Sequence, residues 1–153
     1  MVDASDVSAV VATFCERAIE DREGIFTLVR LYDQLTVRVA ADFPGPTPQE
    51  PLPVNITFFV ALKARREQPW PDLIVRIVNP DDGAHDVPVT GVDPAEPKDG
   101  MNLVLGLTLT VTREGRYWFE VIYEGRSLTR APLRIAIQRL PRSELLLDAR
   151  PMT

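Results

Sequence analysis

The fold is decided by the stretch from Leu103 to Tyr123, which reads LVLGLTLTVTREGRYWFEVIY. Apolar residues alternate with smaller or polar ones on both sides of Arg113-Glu114-Gly115, and a period of two is typical of strands with one buried face. Three-residue loops with glycine in the third position join the strands of many hairpins. The sequence therefore predicts a hairpin across this loop. Its opposed pairs are Val111–Tyr117, Leu109–Phe119 and Leu107–Val121.

A third strand is predicted after a two-residue turn at Glu124-Gly125. This turn places Val121 opposite Leu128 and points Leu128 inward, whereas Leu133 and the apolar residues that follow it have the opposite parity. One extra residue must therefore be absorbed between Leu128 and Leu133. Pro132 marks the expected bulge, because proline cannot donate a hydrogen bond to the ladder.

Three earlier segments also have the character of strands. Val54 to Leu62 alternates cleanly between apolar and polar residues, and Leu73 to Ile77 is a shorter strand that ends in the turn cluster from Asn79 to Gly83. Val87 to Val92 is a weak strand interrupted by Pro88. These segments extend the period-two pattern over the middle of the chain.

The N-terminal third is expected to form a long hairpin, with arms at 8–19 and 25–39. Fully extended, the second arm would be about 50 Å long in a domain whose radius of gyration is about 15 Å, so it must bend or break. Asp33 marks the break, because it shares the parity of its apolar neighbours and would be costly to bury alone. We expect a bulge there that bonds the Asp33 carboxylate to backbone amides.

The pattern as a whole predicts an all-β protein. Seven or eight strands with turn signals at short intervals are typical of an antiparallel β-sandwich. Residues 1–153 are expected to form a single domain, with tails at 1–7 and 142–153. The only helical pattern covers Ser143 to Ala149 and predicts a short C-terminal helix.

Composition excludes several classes of protein. A chain of 153 residues with 45% hydrophobic and 25% charged residues has the size and composition of one globular domain. One Cys and one His allow neither an intramolecular disulfide nor a Cys/His zinc cage. A net charge of −5 speaks against nucleic-acid binding. No apolar run reaches the roughly 20 residues that span a bilayer, and the N-terminus lacks the basic region of a secretory signal. We therefore expect a cytoplasmic protein without membrane, nucleic-acid, metal or cofactor binding.

The N-terminal part of the chain contains four short motifs, Phe14-Cys15-Glu16, Glu20-Asp21-Arg22-Glu23-Gly24-Ile25-Phe26-Thr27-Leu28, Leu31-Tyr32-Asp33 and Phe43-Pro44. These motifs resemble the opening of a bacterial family of unknown function. Its members begin with a Phe-Cys-Asp strand, continue through an acidic turn with glycine, and reach a second strand that ends in Gly-x-Phe-Asp. Glu16 stands where this family has Asp, and Arg30 stands near its expected glycine.

The second half of the chain contains Gly115-x-Tyr117-x-Phe119-x-Val121, followed by Gly125 and Pro132-Leu133. This pattern is similar to the closing hairpin of many immunoglobulin-like bacterial domains. Together the two resemblances imply an immunoglobulin-like β-sandwich. They imply no catalytic residue, because the family has no established activity.

Candidates for catalysis are weak. A nucleophilic Cys15 needs a nearby base, and the single histidine, His85, lies in an Asp-rich turn, so a buried structural cysteine is the better interpretation. The carboxylates of Asp81, Asp82 and Asp86 suit Ca²⁺ or Mg²⁺, but their spacing does not match an EF-hand loop. Solvated turns explain these aspartates better, and we expect neither a metal site nor enzymatic activity.

Trp70 lies between two prolines in Gln68-Pro69-Trp70-Pro71. An exposed, rigid indole at this position can stack on a sugar ring or anchor a partner. The other interpretation is that Trp70 folds back and caps the end of the core.

The outward face of the last predicted hairpin is the main candidate surface. Trp118 and Ile122 lie on this face together with Arg134, and an apolar patch of this kind indicates a covered or interacting surface. The tail segment Leu145-Leu146-Leu147 or a second copy of the chain is expected to cover it. Its other members are Glu120, Thr129, Ala131 and Ala136.

The leading hypothesis is a non-catalytic protein-interaction or scaffold module that self-associates. Recognition uses the face around Trp118, Ile122 and Arg134, or an exposed strand edge. The alternative is a small-ligand or carbohydrate-binding sandwich that uses Trp70. An enzyme that uses the carboxylates of Asp81, Asp82 and Asp86 is the third hypothesis.

Overall fold

A computed structural model of the chain describes residues 6–148, with side chains as far as residue 145. Over this range the chain forms nine strands and one helix. They are β1 (Val7–Glu20), β2 (Phe26–Tyr32), β3 (Gln34–Ala40), β4 (Leu52–Gln68), β5 (Ile74–Val78), β6 (Ala84–Pro88), β7 (Lys98–Val111), β8 (Gly115–Tyr123), β9 (Arg126–Leu140) and α1 (Arg142–Asp148).

The strands form two sheets with a shared core, as the prediction of an all-β fold requires. Sheet A has the order β2-β1-β4-β7, and sheet B has the order β3-β9-β8-β5-β6. Phe58 of sheet A meets Phe119 of sheet B across the core, with 5.6 Å between the ring centroids. Alternate residues of both sheets point into this core, because successive side chains of a strand lie on opposite faces.

The predicted hairpin between β7 and β8 is wrong. β7 pairs with β4 in sheet A, with Leu109 opposite Val54. β8 pairs with β5 and β9 in sheet B, with Phe119 opposite Ile77 and Ala131. The chain crosses from one sheet to the other between the two strands, so Leu109 and Phe119 line the same core from opposite sides. Alternation gives the buried side of each strand, but it does not give the neighbouring strand.

The turn at Glu124-Gly125 is confirmed, and both residues have positive φ angles, 49° and 79°. The register shift comes directly after this turn, because Val121 pairs with Thr129 while Ile122 pairs with Ser127. The bulge therefore lies at Leu128 rather than at Pro132. Pro132 fits a regular strand because it shares the parity of Arg134, whose amide points to the β3 side and not to β8. β3 pairs with β9 only from Arg134 onward, so an N–H group at position 132 would meet no strand.

The long N-terminal hairpin is present and ends where the sequence predicted a break. β1 and β2 pair around the turn after Glu20, where the Asp21 carboxylate accepts hydrogen bonds from the amides of Glu23 and Ile25 at 2.8 and 3.0 Å. The break at Asp33 is a change of sheet and not a bulge. The Asp33 side chain is exposed, and its carbonyl oxygen accepts a hydrogen bond from the Arg134 amide at 2.9 Å.

Sheet B is mixed, which corrects the prediction of a purely antiparallel sandwich. β3 pairs in parallel with β9, from Gln34 opposite Arg134 to Ala40 opposite Leu140. The prediction assumed that consecutive strands form hairpins. β3 instead reaches its place by changing sheet, and its partner lies about a hundred residues later in the chain, so no hairpin sets its direction.

The remaining elements differ modestly from prediction. The weak strand predicted at Val87 to Val92 is β6, which begins at Ala84 and ends at Pro88, where the hydrogen-bond donor is lost. The short C-terminal helix is confirmed as α1, although Ala149 lies outside the described residues. Val7, assigned to a tail, is buried as the first residue of β1. Within residues 6–148 no helix is long and apolar enough to cross a membrane.

Candidate functional site

Trp118 lies on the outer face of sheet B, where it is half-buried by its own neighbours. The Arg130 guanidinium sits over the indole ring at 4.4 Å from its centroid, and the Arg116 guanidinium lies 5.7 Å away. An arginine over an indole is attracted by the negative π face. The ring face that was expected to meet a partner is therefore covered by arginines of the same sheet.

A row of alternating charges crosses the same face. Arg130, Glu120, Arg76 and Asp86 lie opposite one another on β9, β8, β5 and β6. Arg130 is 3.3 Å from Glu120, and Arg76 binds both carboxylate oxygens of Asp86 at 2.7 and 3.1 Å. The hydrogen bond from Arg76 lowers the pKa of Asp86. The two arginines and two carboxylates of this row balance each other and are engaged in contacts within sheet B.

The three residues predicted to bind a partner do not form one patch. Ile122 is only 4% exposed and so is not part of an open surface, and the register of β8 against β9 shifts between Val121 and Ile122. Arg134 is exposed and lies opposite Arg116, six residues before Ile122 on β8, which is about 20 Å away. Ala131, also assigned to this face, belongs to the core.

The expected cover of this face by the C-terminal segment is not seen over the described residues. α1 packs against β3, at the far edge of sheet B from β5 and β6. The side chains of Leu146 and Leu147 lie outside the described residues.

Trp70 caps the end of the core, as its second interpretation held. The side chain is 1% exposed and packs against Tyr123 at 5.4 Å between ring centroids. Its indole N–H donates to the carbonyl of Lys98 at 3.0 Å, and its amide donates to the carbonyl of Pro94 at 3.0 Å. A cavity of about 280 Å³ beside it is lined mainly by apolar residues such as Val89. No face of the indole is available to a sugar.

Cys15 is fully buried and makes a second, small apolar cluster with Phe59 and Ala61 on the outer side of sheet A. Burial raises the pKa of the thiol, opposed by a backbone hydrogen bond at Arg17. His85 lies on β6, in the other sheet. A raised pKa disfavours the thiolate, so Cys15 behaves as a structural cysteine.

A polar notch opens where β1 leaves β4, just after the pair Cys15–Thr57. Its volume is about 390 Å³, and Tyr32, whose pKa is raised by burial, lines it. Glu16 and Arg30 form an ion pair of 3.2 Å at its rim. These are the two positions that depart from the resembled family pattern, and they contact each other. No sequence pattern indicates this notch.

The carboxylates of the acidic loops accept hydrogen bonds from backbone amides of the same loops. Asp81 accepts a hydrogen bond from the Gly83 amide at 3.0 Å, and Asp93 accepts one from the Ala95 amide at 3.0 Å. Asp86 is engaged by Arg76. Among residues 6–145 no group of three or more His, Cys, Asp or Glu side chains is arranged to hold a metal ion.

The outer face of sheet A is partly covered by the tip of the β1–β2 hairpin. Arg30 has a φ of 54°, and beyond it the hairpin folds over the sheet, so that Phe26 packs on Phe59 at 5.4 Å between ring centroids. The cover does not reach β7, where Val104 is 44% exposed on the same face. Sheet A therefore has a covered half and an open half.

β7 is the open edge of sheet A. It is 14 residues long, and it pairs with β4 without a bulge from Gly100 to Val111. Among the described residues no strand lies on its other side. Residues 100–112 carry no charge in a chain that is 25% charged. Long, flat, uncharged edges are sites where another strand can pair.

The other three edges are protected. β2 carries Arg30 at a positive φ, β6 has five residues and ends at Pro88, and β3 has seven residues with α1 packed against it. Short length, proline and irregular backbone are features by which natural sheets block strand pairing. β7 has none of these features.

Sequence reasoning did not identify β7 as an edge, because it assigned β8 as its partner. The signal that could have found it is the uncharged run from Gly100 to Thr112. Edge strands usually carry charges, so a strand of this length without them is either central or an unprotected edge.

Comparison with known proteins gives a family and no activity. No curated protein sequence matches the chain significantly. The sequence model of a family of unknown function, DUF6941, matches residues 10–136, which run from within β1 to within β9. The chain therefore belongs to DUF6941.

Proposed function

We propose that this chain is an immunoglobulin-like, non-catalytic protein-interaction module of the cytoplasm with one strand position vacant. The order of its strands supports the proposal. An immunoglobulin sandwich has strands A, B, E and D in one sheet and C, F and G in the other. β4 and β7 neighbour each other as B and E do, and β5, β8 and β9 neighbour one another as C, F and G do. β1 is an additional strand between β2 and β4.

Tyr117 provides independent support for the same assignment. Its hydroxyl donates to the carbonyl of Arg113 at 2.8 Å and accepts from the amide of Thr112 at 3.3 Å. A tyrosine at the start of strand F that bonds to backbone a few residues upstream is a hallmark of immunoglobulin-like sandwiches. Tyr117 lies at this position on β8.

Strand D would lie beside β7, and the chain does not supply one over the described residues. It passes from β6 to β7 through the loop at residues 89–97, which closes on Trp70 at the end of the core. The long uncharged edge of β7 carries the proposal. An extended strand of another polypeptide would complete sheet A by backbone hydrogen bonds, which is a common mode of recognition.

Recognition at Trp118 has less support, because arginines of the same sheet cover its ring. Ligand binding at Trp70 has less support still, because the indole is 1% exposed. The raised pKa of Cys15 favours the thiol over the nucleophilic thiolate.

Site-specific photo-cross-linking in host cells tests the proposal. Benzoylphenylalanine replaces Val104 in one variant and Trp118 in the matched control, so both outer faces carry the same probe. We expect a discrete adduct with a polypeptide from position 104 and none from position 118. Adducts from position 118 alone, or none from position 104, would overturn the proposal.

A further inference from the structure

We propose that the strand beside β7 is β7 of a second copy, antiparallel to the first around a twofold axis through Gly106. This inference rests on the proposed function, because it names the partner of the same edge. Pairing of this kind joins two copies of sheet A into one continuous sheet.

Symmetry restricts the registers that two identical strands can adopt. Opposed residues of an antiparallel pair lie on the same face of the sheet, so in each allowed register one residue lies opposite the same residue of the second copy. Moving to the next allowed register shifts the partner of every residue by two positions. The choice among these registers is set by what each one places together.

The register centred on Gly106 extends the core. It pairs Leu105 with the second copy's Leu107, and both leucines are only half-buried on the inner face of sheet A. The same register places Met101 opposite the second copy's Val111 and Leu103 opposite its Leu109. All inner-face pairs are therefore apolar, and the two half-exposed leucines of each copy gain cover.

Charge distinguishes this register from its two neighbours, which also pair apolar residues on the inner face. Asp99 and Arg113 flank the uncharged run, both are exposed, and within residues 6–145 neither forms an ion pair. In this register Asp99 lies level with the position two residues past the end of the second copy's β7, where Arg113 stands in the bend that follows Val111, and this happens at both ends of the joined strands. A shift of two residues places Asp99 opposite Val111 or Gly115 instead and loses both attractions.

Gly106 itself allows a direct test. A Cβ atom added there meets nothing within 4 Å, and its φ is not in the left-handed region, so Gly106→Cys is compatible with the fold. Directly opposed residues have Cα atoms about 4.5–5.5 Å apart, within the range of a disulfide. Cysteines at position 104 of the two copies would be about 13 Å apart along the strand in this register.

We expect Gly106→Cys to form a covalent dimer under mild oxidation, and Val104→Cys to remain a monomer on a non-reducing gel. Native Cys15 is fully buried and serves as the same background in both. A covalent dimer from Val104→Cys with none from Gly106→Cys would overturn the register and the inference.

A pair of charge variants gives a second test without cysteines. Val104 lies opposite the second copy's Thr108 in this register, so Val104→Lys/Thr108→Lys opposes like charges and Val104→Lys/Thr108→Glu opposes unlike charges. Both variants lose the hydrogen bond from Thr108 to Asn55, which makes them matched. By sedimentation over a dilution series we expect the first to raise the dimer Kd at least tenfold relative to the second. Equal Kd values would overturn the register.

The inference and the proposed function fail separately. A wild-type chain that is monomeric at every concentration, yet forms an adduct with another polypeptide from position 104, contradicts self-pairing and leaves strand addition standing. A monomeric chain without any adduct contradicts both. A concentration-dependent dimer that is linked through position 106 supports both.

Discussion

Sheets A and B each carry a large aromatic side chain on the outer face, and they cover it differently. In sheet A the tip of the β1–β2 hairpin covers Phe59, and Phe26 of this tip packs against the ring. Sheet B places the Arg130 guanidinium over Trp118 and binds that arginine to Glu120. The hairpin tip covers only the part of sheet A that it reaches, whereas the charge row crosses four of the five strands of sheet B. The outer face of sheet A at β7 is therefore neither covered by the chain nor occupied by charges.

The edges on this side of the sandwich repeat the contrast. β6 presents Asp86, bound by Arg76, on a strand of five residues, while β7 is uncharged over the twelve residues from Gly100 to Val111. Charged and short edges resist pairing with other strands, and long uncharged ones do not. On this side of the sandwich, sheet B therefore has a protected edge strand and sheet A has an unprotected one.

Phe59→Ala should have the largest effect. The ring is 5% exposed, and its loss leaves a cavity under the hairpin tip, so we expect the free energy of unfolding to fall by about 3 kcal/mol. Urea unfolding measures this change. Phe26→Ala, which removes the half-buried partner ring, serves as the control and should cost less. A loss below about 1 kcal/mol for Phe59→Ala would mean that the hairpin tip does not cover sheet A.

Trp118→Ala should lower the free energy of unfolding by less, about 1 kcal/mol. The indole is only half-buried, and its cation–π contact is with an exposed arginine, Arg130. Urea unfolding measures the stability, and sedimentation measures association. Trp118→Phe keeps a π face under Arg130 and should recover part of the loss. If Trp118→Ala abolished association, the copies would associate through the outer face of sheet B and not through β7.

Asp86→Asn should have a smaller effect that depends on pH. The hydrogen bond from Arg76 lowers the pKa of Asp86 in the folded chain. The pair therefore stabilises the fold above the ordinary aspartate pKa of about 3.9, and this contribution is lost as the pH falls through the lowered pKa. We expect the variant to be less stable than the wild type at pH 7 and equal to it at strongly acid pH. A stability difference that does not change with pH would contradict the pairing.

Val104→Lys should have the smallest effect on stability. The side chain is 44% exposed, so at concentrations where the chain is monomeric the free energy of unfolding should stay within about 0.5 kcal/mol of the wild-type value. A larger loss in urea unfolding would show that β7 is covered within the chain. The control in sheet B is Arg134→Ala, at another exposed position, which should change the free energy of unfolding equally little.

The sequence predicts which side of each strand is buried. Phe58, Leu109 and Phe119 were assigned to inner faces by alternation alone, and all three are fully buried. It could not predict strand partners, because two strands joined by Arg113-Glu114-Gly115 bury the same residues whether they lie side by side or face each other across the core. The assignment of β7 to an interior hairpin followed from this ambiguity.

The candidate site was less predictable than the fold. Trp70 between prolines has the local character of an exposed anchor, but the carbonyl that accepts its indole N–H belongs to Lys98, 28 residues away. Ile122 was assigned outward by parity, and the bulge at Leu128 shows that the pairing is irregular there. The open edge of β7 depends on the order of strands in sheet A, which no local pattern contains.

The pairing of β3 with β9 has a consequence for synthesis of the chain. All four strands of sheet A have emerged from the ribosome once Val111 has emerged, but sheet B needs Leu140, 29 residues later (from 111 to 140). At about 5–20 residues per second, that interval lasts about 1.5 to 6 seconds. During this time the nascent chain presents the uncovered inner face of sheet A together with the β7 edge. A chain truncated after residue 111 should therefore be a client of chaperones and a seed for aggregation.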